Sequence, residues 1–331
     1  MRTEYTFDEL LAEHDYERPL ALDGVPCHGG FVDGRYVSPR TLWRAPAIEA
    51  WQAGLPAGEL AAVLDPITAR VPPHFPGVEQ TKLLVRHGVT VPLVRILSII
   101  ALVEGFGGDV LRLVTLPPLG ERVLDPIDGT ALAHLGALFE AHARDEAGHR
   151  RMWELARDIA LDRPPVPKDL ASSVTPAGAP RLLSEIPFDT EALILRMMGV
   201  LVIEVFAIEA FRWAREVLGD RTLFRRHDEA RTLIEYIQED ETPHVGYLAT
   251  ALAELRCRRL AGIDGAPVPG RVVIDRARDR IVAVQAGPRH RANVDFRRQV
   301  IERCVEGHPR RGEVLGQFDE ALLLGSGAGV R

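Results

Sequence analysis

Cysteine is scarce: Cys27, Cys257 and Cys304 are the three in a chain of 331 residues, far apart and without a C-x-x-C pair. Such spacing excludes a disulfide framework and a thiolate metal site, and it fits a reducing cytoplasm. Lysine is scarcer still, Lys82 and Lys168 standing beside a large excess of arginine. We read that as codon bias from a GC-rich genome, without chemical meaning. The formal net charge of −7 is small for the length and no block of like charge occurs, so neither a nucleic-acid surface nor a charged tail is expected. An uninterrupted apolar run of membrane length is also missing. The most apolar stretch, ILRMMGVLVIEVFAIEAFRW, carries Glu204 and Glu209, which are costly in lipid, and it reads as a buried core helix. The N-terminus, MRTEYTFDELLAEHDYERPL, is acidic and lacks the basic segment and apolar run of an export signal. The expectation is a soluble, cytoplasmic globular protein of one large domain or two.

What is present changes character along the chain. Residues 1–90 are rich in turn signals, as in LDGVPCHGGFVDGRYVSP and VPPHFPGV, around short helical stretches such as APAIEAWQAG; they read as an arm wrapped on the rest. From Val91 the apolar spacing becomes helical. A first long helix, VPLVRILSIIALVEGFGGDVLRLV, is followed by a second over TALAHLGALFEAHARDEAGHRRMWELARDIA. The Pro/Ser/Ala-rich stretch LDRPPVPKDLASSVTPAGAPRLLSEIPFD is too long for a hairpin loop and reads as a crossover. A third helix, TEALILRMMGVLVIEVFAIEAFRWAREVLG, and a fourth, DEARTLIEYIQEDETPHVGYLATALAELRCRRLAG, complete residues 91–260. Helix pair, long crossover, helix pair is the connectivity of an all-α, ferritin-like four-helix bundle. Residues 261–331 form an extension in which RVVIDRARDRIVAVQ suits a hairpin or a helix and VDFRRQVIERCVEG a helix.

The chemistry lies in an internal repeat. Glu146-x-x-His149, in ARDEAGHRR, returns as Glu241-x-x-His244 in QEDETPHVG, each preceded by an aspartate, Asp145 and Asp240. Residues i and i+3 share a helix face, so each pair can aim at one point. The first and third helices match as well: VEGFGGDVLR against IEVFAIEAFR sets Glu104 opposite Glu204, Asp109 opposite Glu209 and Arg112 opposite Arg212. Each half thus supplies one Glu from its first helix and Glu-x-x-His from its second, the ligand set of di-iron and di-manganese carboxylate bundles. Glu104 and Glu204 stand in nearly all-apolar helices, where an uncompensated carboxylate is costly. Two divalent cations cancel four carboxylates. Hard oxygens with two imidazoles suit iron or manganese, and Asp145 and Asp240 are placed to accept the outer ring N–H of a histidine from the other pair.

On these residues the chain resembles the ferritin-like di-iron carboxylate superfamily over roughly residues 90–255, and DEAGH with DETPH is similar to the Asp-Glu-x-Arg-His motif of bacterial multicomponent monooxygenases. The resemblance implies Glu104, Glu146, His149, Glu204, Glu241 and His244 as metal ligands and catalytic residues, with Asp145 and Asp240 behind them. Gly148 and Pro243 stand where that motif has Arg, a departure from the monooxygenases proper. Pro243 inside the fourth helix is expected to kink it or accompany a π-bulge. His142, four residues before Glu146, resembles the extra histidine of p-aminobenzoate N-oxygenases, although there it precedes the second Glu-x-x-His, where this chain has Ile237. It is a supporting histidine or an additional ligand. Trp153 occupies the place of the radical tyrosine of ribonucleotide reductase small subunits and reads as a core aromatic. Glu209 and Asp109 are alternative ligands or proton relays; Glu140 and Glu235 read as exterior.

Gly105, Gly107 and Gly108 each cost about 1 kcal/mol in a helix relative to Ala, and the third helix has Val205, Ala207 and Ile208 at the matching places. They leave room for a substrate or dioxygen, or they serve close helix packing. The leading expectation is an oxygen-activating enzyme with two iron ions per chain (manganese or a mixed pair is the alternative), O2 as co-substrate and a small organic substrate to be hydroxylated, N-oxygenated or desaturated. In it, Glu146 and Glu241 are the bridging carboxylates. A ferroxidase or iron-handling protein, a manganese catalase and a metal-free scaffold are the competing readings. An electron-donor protein and a homodimer are the partners left open; nucleic acid and membrane are not expected.

Overall fold

The computed structural model describes residues 39–112, 116–168, 170 and 181–326, with four short strand segments between 21 and 37; side chains are described from residue 44, apart from 108–115, 169, 171–180 and those after 321. Strands β1 (Ala21–Leu22) and β2 (Val25–Pro26), then β3 (Gly30–Val32) and β4 (Arg35–Val37), pair as two antiparallel ribbons. Helices α1 (Pro39–Ala53), α2 (Glu59–Thr68) and α3 (Val78–Arg86) follow. The bundle is α4 (Val91–Arg112), a short α5 (Leu119–Arg122), α6 (Leu135–Leu161), α7 (Phe188–Leu218) and α8 (His227–Arg256). Beyond it come β5 (Arg259–Ala261), β6 (Pro267–Pro269), α9 (Gly270–Val284), α10 (His290–Cys304) and α11 (Arg311–Ser326).

The four long helices form because each carries an apolar stripe at helical spacing. In α6 the buried stripe runs through Leu135, Leu138, Phe139, His142, Glu146, His149, Met152, Trp153 and Ala156. In α8 it runs through Leu233, Ile234, Ile237, Glu241, His244, Leu248 and Leu252. The polar members therefore sit where an ordinary bundle would place apolar ones. α4 packs on α6, α7 on α8, and α6 on α8. One apolar core holds Leu138, Met197, Leu201, Leu248 and Leu252. A second holds Leu97, Trp153, Ala156, Phe211 and Ile237. The buried carboxylates and histidines occupy stripe positions between those assigned to the two cores.

Side-chain carboxylates fix the ends of these helices. Glu254 accepts the backbone N–H groups of Ala131 and Leu132 at 3.0 and 3.1 Å, capping the 3₁₀ turn that begins α6. Glu191 accepts those of Leu182 and Leu183 at 2.6 and 2.9 Å and pairs with Arg181, tying the end of the crossover to the start of α7.

Two features differ from the sequence expectation, and another decides between two readings it left open. The fourth helix ends at Arg256 rather than running through RCRRLAG, because Arg259–Ala261 pairs with Pro267–Pro269 around the turn at Asp264–Gly265. RVVIDRARDRIVAVQ is a helix, α9, and the hairpin precedes it. α8 passes through Pro243 as continuous α-helix, and the one π turn among the described residues is Gln285–Arg289, joining α9 to α10. α1 and α2 pack along α8, and α11 packs on α3 around Leu84, Ile301 and Phe318. No described helix is long and apolar enough to cross a membrane.

Candidate metal centre

Glu146 and His149 from α6 and Glu241 and His244 from α8 converge in the middle of the bundle, joined by Glu104 of α4 and Glu204 of α7. All six are buried, the histidines completely. His149 Nδ1 lies 2.9 Å from Glu241 Oε1, and His244 Nδ1 lies 2.7 Å from Glu241 Oε2. One carboxylate therefore faces both histidines through its two oxygens. Glu146 is placed alike, its Oε1 3.6 Å from His149 Nδ1 and 3.5 Å from His244 Nδ1. Glu104 belongs to one side, 3.8 Å from His149 Nδ1, and its other oxygen accepts the Trp153 indole N–H at 3.0 Å. Glu204 belongs to the other side.

There it meets a third histidine. His142 Nε2 is 3.2 Å from both Glu146 Oε1 and Glu204 Oε1, and its Nδ1 is 2.8 Å from the Tyr247 hydroxyl. Its ring stacks on that of His244 with centroids 3.6 Å apart. Two overlapping groups, His142–Glu146–Glu204–His244 and Glu146–His149–Glu241–His244, each bring their donor atoms close enough to hold a metal ion.

The outer nitrogens are fixed crosswise. His149 Nε2 donates to Asp240 at 3.3 Å and His244 Nε2 donates to Asp145 at 2.8 Å, so each aspartate orients the histidine of the other half and turns its Nδ1 inward. Asp145 also receives a guanidinium N–H of Arg44 at 2.5 Å, a fully buried arginine from α1. α1 can approach this closely because Gly246 of α8 has no Cβ; one there would lie 3.2 Å from Ile48.

The electrostatics show what the cluster requires. Burial pushes the Glu146 and Glu241 carboxyls well above the usual carboxylate range, and neighbouring carboxylates, Glu104 beside Glu146 and Glu204 beside Glu241, push them further. Burial lowers His149, but the Glu241 and Asp240 carboxylates outweigh it and hold that imidazole well above its ordinary value. His244 is driven well below its own by burial and by His142. His149 Nδ1 and Glu241 Oε1 face each other at 2.9 Å without the alignment of a hydrogen bond. Donors that satisfy each other only by taking up protons fit divalent cations better than they fit one another.

Glu209 is not in this group: it pairs with Arg212 at 2.5 Å on the outer face of α7. The side chain of Asp109 lies outside the described residues. Glu140 and Glu235 pair with Arg144 and Arg231 on exterior surfaces, and Trp153 is a core aromatic that also holds Glu104. Arg44 and Tyr247 carry no sequence signal of these roles: nothing in their local context distinguishes them from ordinary core-facing residues.

A cavity of about 370 Å³ opens onto the cluster between α4, α7 and α10. Glu104, Gly107, Glu146 and Glu204 form one end, and Ile96, Ile99, Val103, Phe206 and Ala207 are among its apolar walls. A Cβ on Gly107 would stand 3.4 Å from Glu146 Oε2, whereas one on Gly105 would meet Arg150 at 2.7 Å. Gly107 thus keeps space beside the carboxylates and Gly105 serves close packing; the side-chain surroundings of Gly108 are outside the described residues. No protein-family model, curated protein or solved structure matches the chain.

Proposed function

We infer that the protein is a dinuclear non-haem metal enzyme that uses dioxygen to oxidise a small organic molecule. The observation that supports this best is the adjacency of the buried four-glutamate, three-histidine cluster to an apolar cavity onto which Glu104, Glu146 and Glu204 open. Glu104 and His149 would hold one ion, Glu204, His244 and His142 the other, with Glu146 and Glu241 shared. Carboxylate oxygens with imidazoles suit iron or manganese. A pair of ferrous ions would supply the electrons that reduce dioxygen, chemistry that none of these side chains performs alone.

The protein's own part is orientation and exclusion. Asp145 and Asp240 hold two rings with Nδ1 inward, Tyr247 holds His142 with Nε2 inward, and Trp153 holds Glu104. The apolar walls keep bulk water from the reacting end. A storage role calls for no such cavity, and a bundle acting as a metal-free scaffold would gain nothing from four repelling carboxylates in its core. Hydroxylation, N-oxygenation and desaturation all belong to this reaction class.

The test is anaerobic loading with Fe(II), removal of free metal, and addition of dissolved dioxygen in an oxygen electrode. Oxygen uptake in proportion to bound iron, absent in His149→Ala, is the expected result. Iron-loaded protein that takes up no oxygen, with or without candidate substrates, would remove the reading.

A further inference from the structure

The cavity walls are mainly apolar, with Gln285, Arg289 and Asn293 also among the lining residues, and its two ends differ. Along α4 its lining runs from Pro92 and Arg95 to Glu104 and Gly107. Nine residues of helix separate Arg95 from Glu104, about 13–14 Å. The carboxylate cluster closes one end. At the other, Arg95 is buried with its guanidinium over the Phe296 ring, 5.2 Å from the centroid, and the next residue, Arg297, also lines the cavity.

Arg297 is the informative group. One of its guanidinium nitrogens donates to the Phe75 carbonyl and lies 3.4 Å from His74 Nε2. No carboxylate among the described residues pairs with it. Burial and Arg297 itself push His74 down to about 3, so that imidazole is neutral at physiological pH. Burial lowers Arg297 to about 10, which leaves it a cation there. Arg297 is half-buried, and a cation in that setting whose described partners are all neutral lacks a counter-charge. Guanidinium forks match carboxylates in shape and hydrogen-bond count.

We propose that the cavity binds an apolar organic acid, an alkyl or aryl body with one carboxylate, seated with the carboxylate on Arg297 beside Arg95 and its far end against Gly107 and Glu104. As a statement about the substrate this rests on the oxidase reading above; as a statement about binding it does not. The acid group anchors the molecule away from the metal cluster, so the carbon or nitrogen presented to the cluster is the one most distant from the carboxylate. A primary amine in place of the acid would set a cation against Arg297 and is excluded.

The test is isothermal titration of the full chain, metal-free and anaerobically iron-loaded, with decanoate, decanol and decylamine. Decanoate should bind about 10- to 100-fold more tightly than decanol, the range of a charge-assisted hydrogen-bonded pair, and decylamine should not bind. Arg297→Gln should bring decanoate down to the level of decanol and leave decanol unchanged, while Arg297→Lys keeps part of the preference. Gly107→Leu, at the opposite end, should weaken both ligands. Equal binding of acid and alcohol by the unaltered protein, a preference that survives Arg297→Gln, or no binding of decanoate would overturn the proposal. The comparison of acid with alcohol needs no variant, so a misfolded Arg297→Gln protein does not shelter the idea. Iron content is measured on the same samples. Acid binding without iron retention would uphold this pocket and overturn the oxidase reading; iron retention without acid binding would overturn this proposal alone.

Discussion

Arg44→Met asks whether the N-terminal arm takes part in the metal centre. Arg44 and Asp145 are each 1% exposed, and Asp145 uses one oxygen for both Arg44 and His244. Removing the cation from a buried pair costs about 3–5 kcal/mol, because the carboxylate stays where water cannot reach it. Asp145→Asn keeps an acceptor for His244 Nε2 and removes the charge, so it has its own cost against Arg44. In the double variant neither charge remains, and about half or more of the summed loss should be recovered. Chemical denaturation of the metal-free protein measures all three variants. Metal affinity supplies the second readout: loosening an aspartate behind a ligating histidine lowers affinity about 10- to 100-fold, and the double variant should fall no further than the worse single one. Single variants as stable as the parent, or losses that simply add, would refute the Arg44–Asp145–His244 relay and leave α1 as packing only.

Other expectations follow from the same geometry. The folded-state values of Glu146 and Glu241 lie above the ordinary 4.5, so in the metal-free protein their contribution is complete below about pH 4.5 and is lost as pH rises through the raised values. His149, also raised, acts in the same sense below its ordinary 6.5, and His244, lowered, in the opposite one. Metal-free protein should therefore lose stability from mildly acidic pH upward, metal-loaded protein should not, and iron affinity should fall on acidification with more than one proton released per ion. Denaturation midpoints and proton release in weakly buffered titrations check both; a metal-free protein that gains stability over this range would contradict the account. Tyr247→Phe leaves a buried nitrogen of His142 without its partner, a loss of about 1–3 kcal/mol, and iron affinity should drop if that ring binds metal; unchanged affinity would make His142 a spectator. Gly107→Val places methyls against Glu146 and should cost about 1–3 kcal/mol while reducing oxygen uptake more than iron content. Equal losses of the two would point to damage at the ligands instead.

The chain displayed much of this site in its sequence, because the site is built from helical repeats. Glu146-x-x-His149 and Glu241-x-x-His244 announce themselves through i, i+3 spacing, and Glu104 with Glu204 through carboxylates placed inside apolar stripes. The crosswise role of Asp145 and Asp240 followed from the same repeat. His142 is harder to read because its counterpart in the second half is Ile237, so the symmetry that marks the other candidate ligands is silent. Arg44 reaches Asp145 across 101 positions and Tyr247 reaches His142 across 105. Pairings so distant in sequence leave no local pattern. The hairpin Arg259–Ala261 with Pro267–Pro269 was hidden for another reason: AELRCRRL continues a helical texture, and its termination depends on partners beyond Gly262. The cavity was half visible. Gly107 marked its inner end, but the wall contributed by α10 could not be placed from a stretch whose neighbours were unknown.

The central claim is the dinuclear centre, and metal stoichiometry tests it most directly. Protein loaded anaerobically with Fe(II), desalted and analysed by elemental mass spectrometry should retain about two irons per chain, the number the paired ligand set implies. Glu104→Ala should lower that number and leave the helical content unchanged. Folded, unaltered protein that retains neither iron nor manganese would contradict the account and leave the two Glu-x-x-His elements as relics of a metal-binding ancestor.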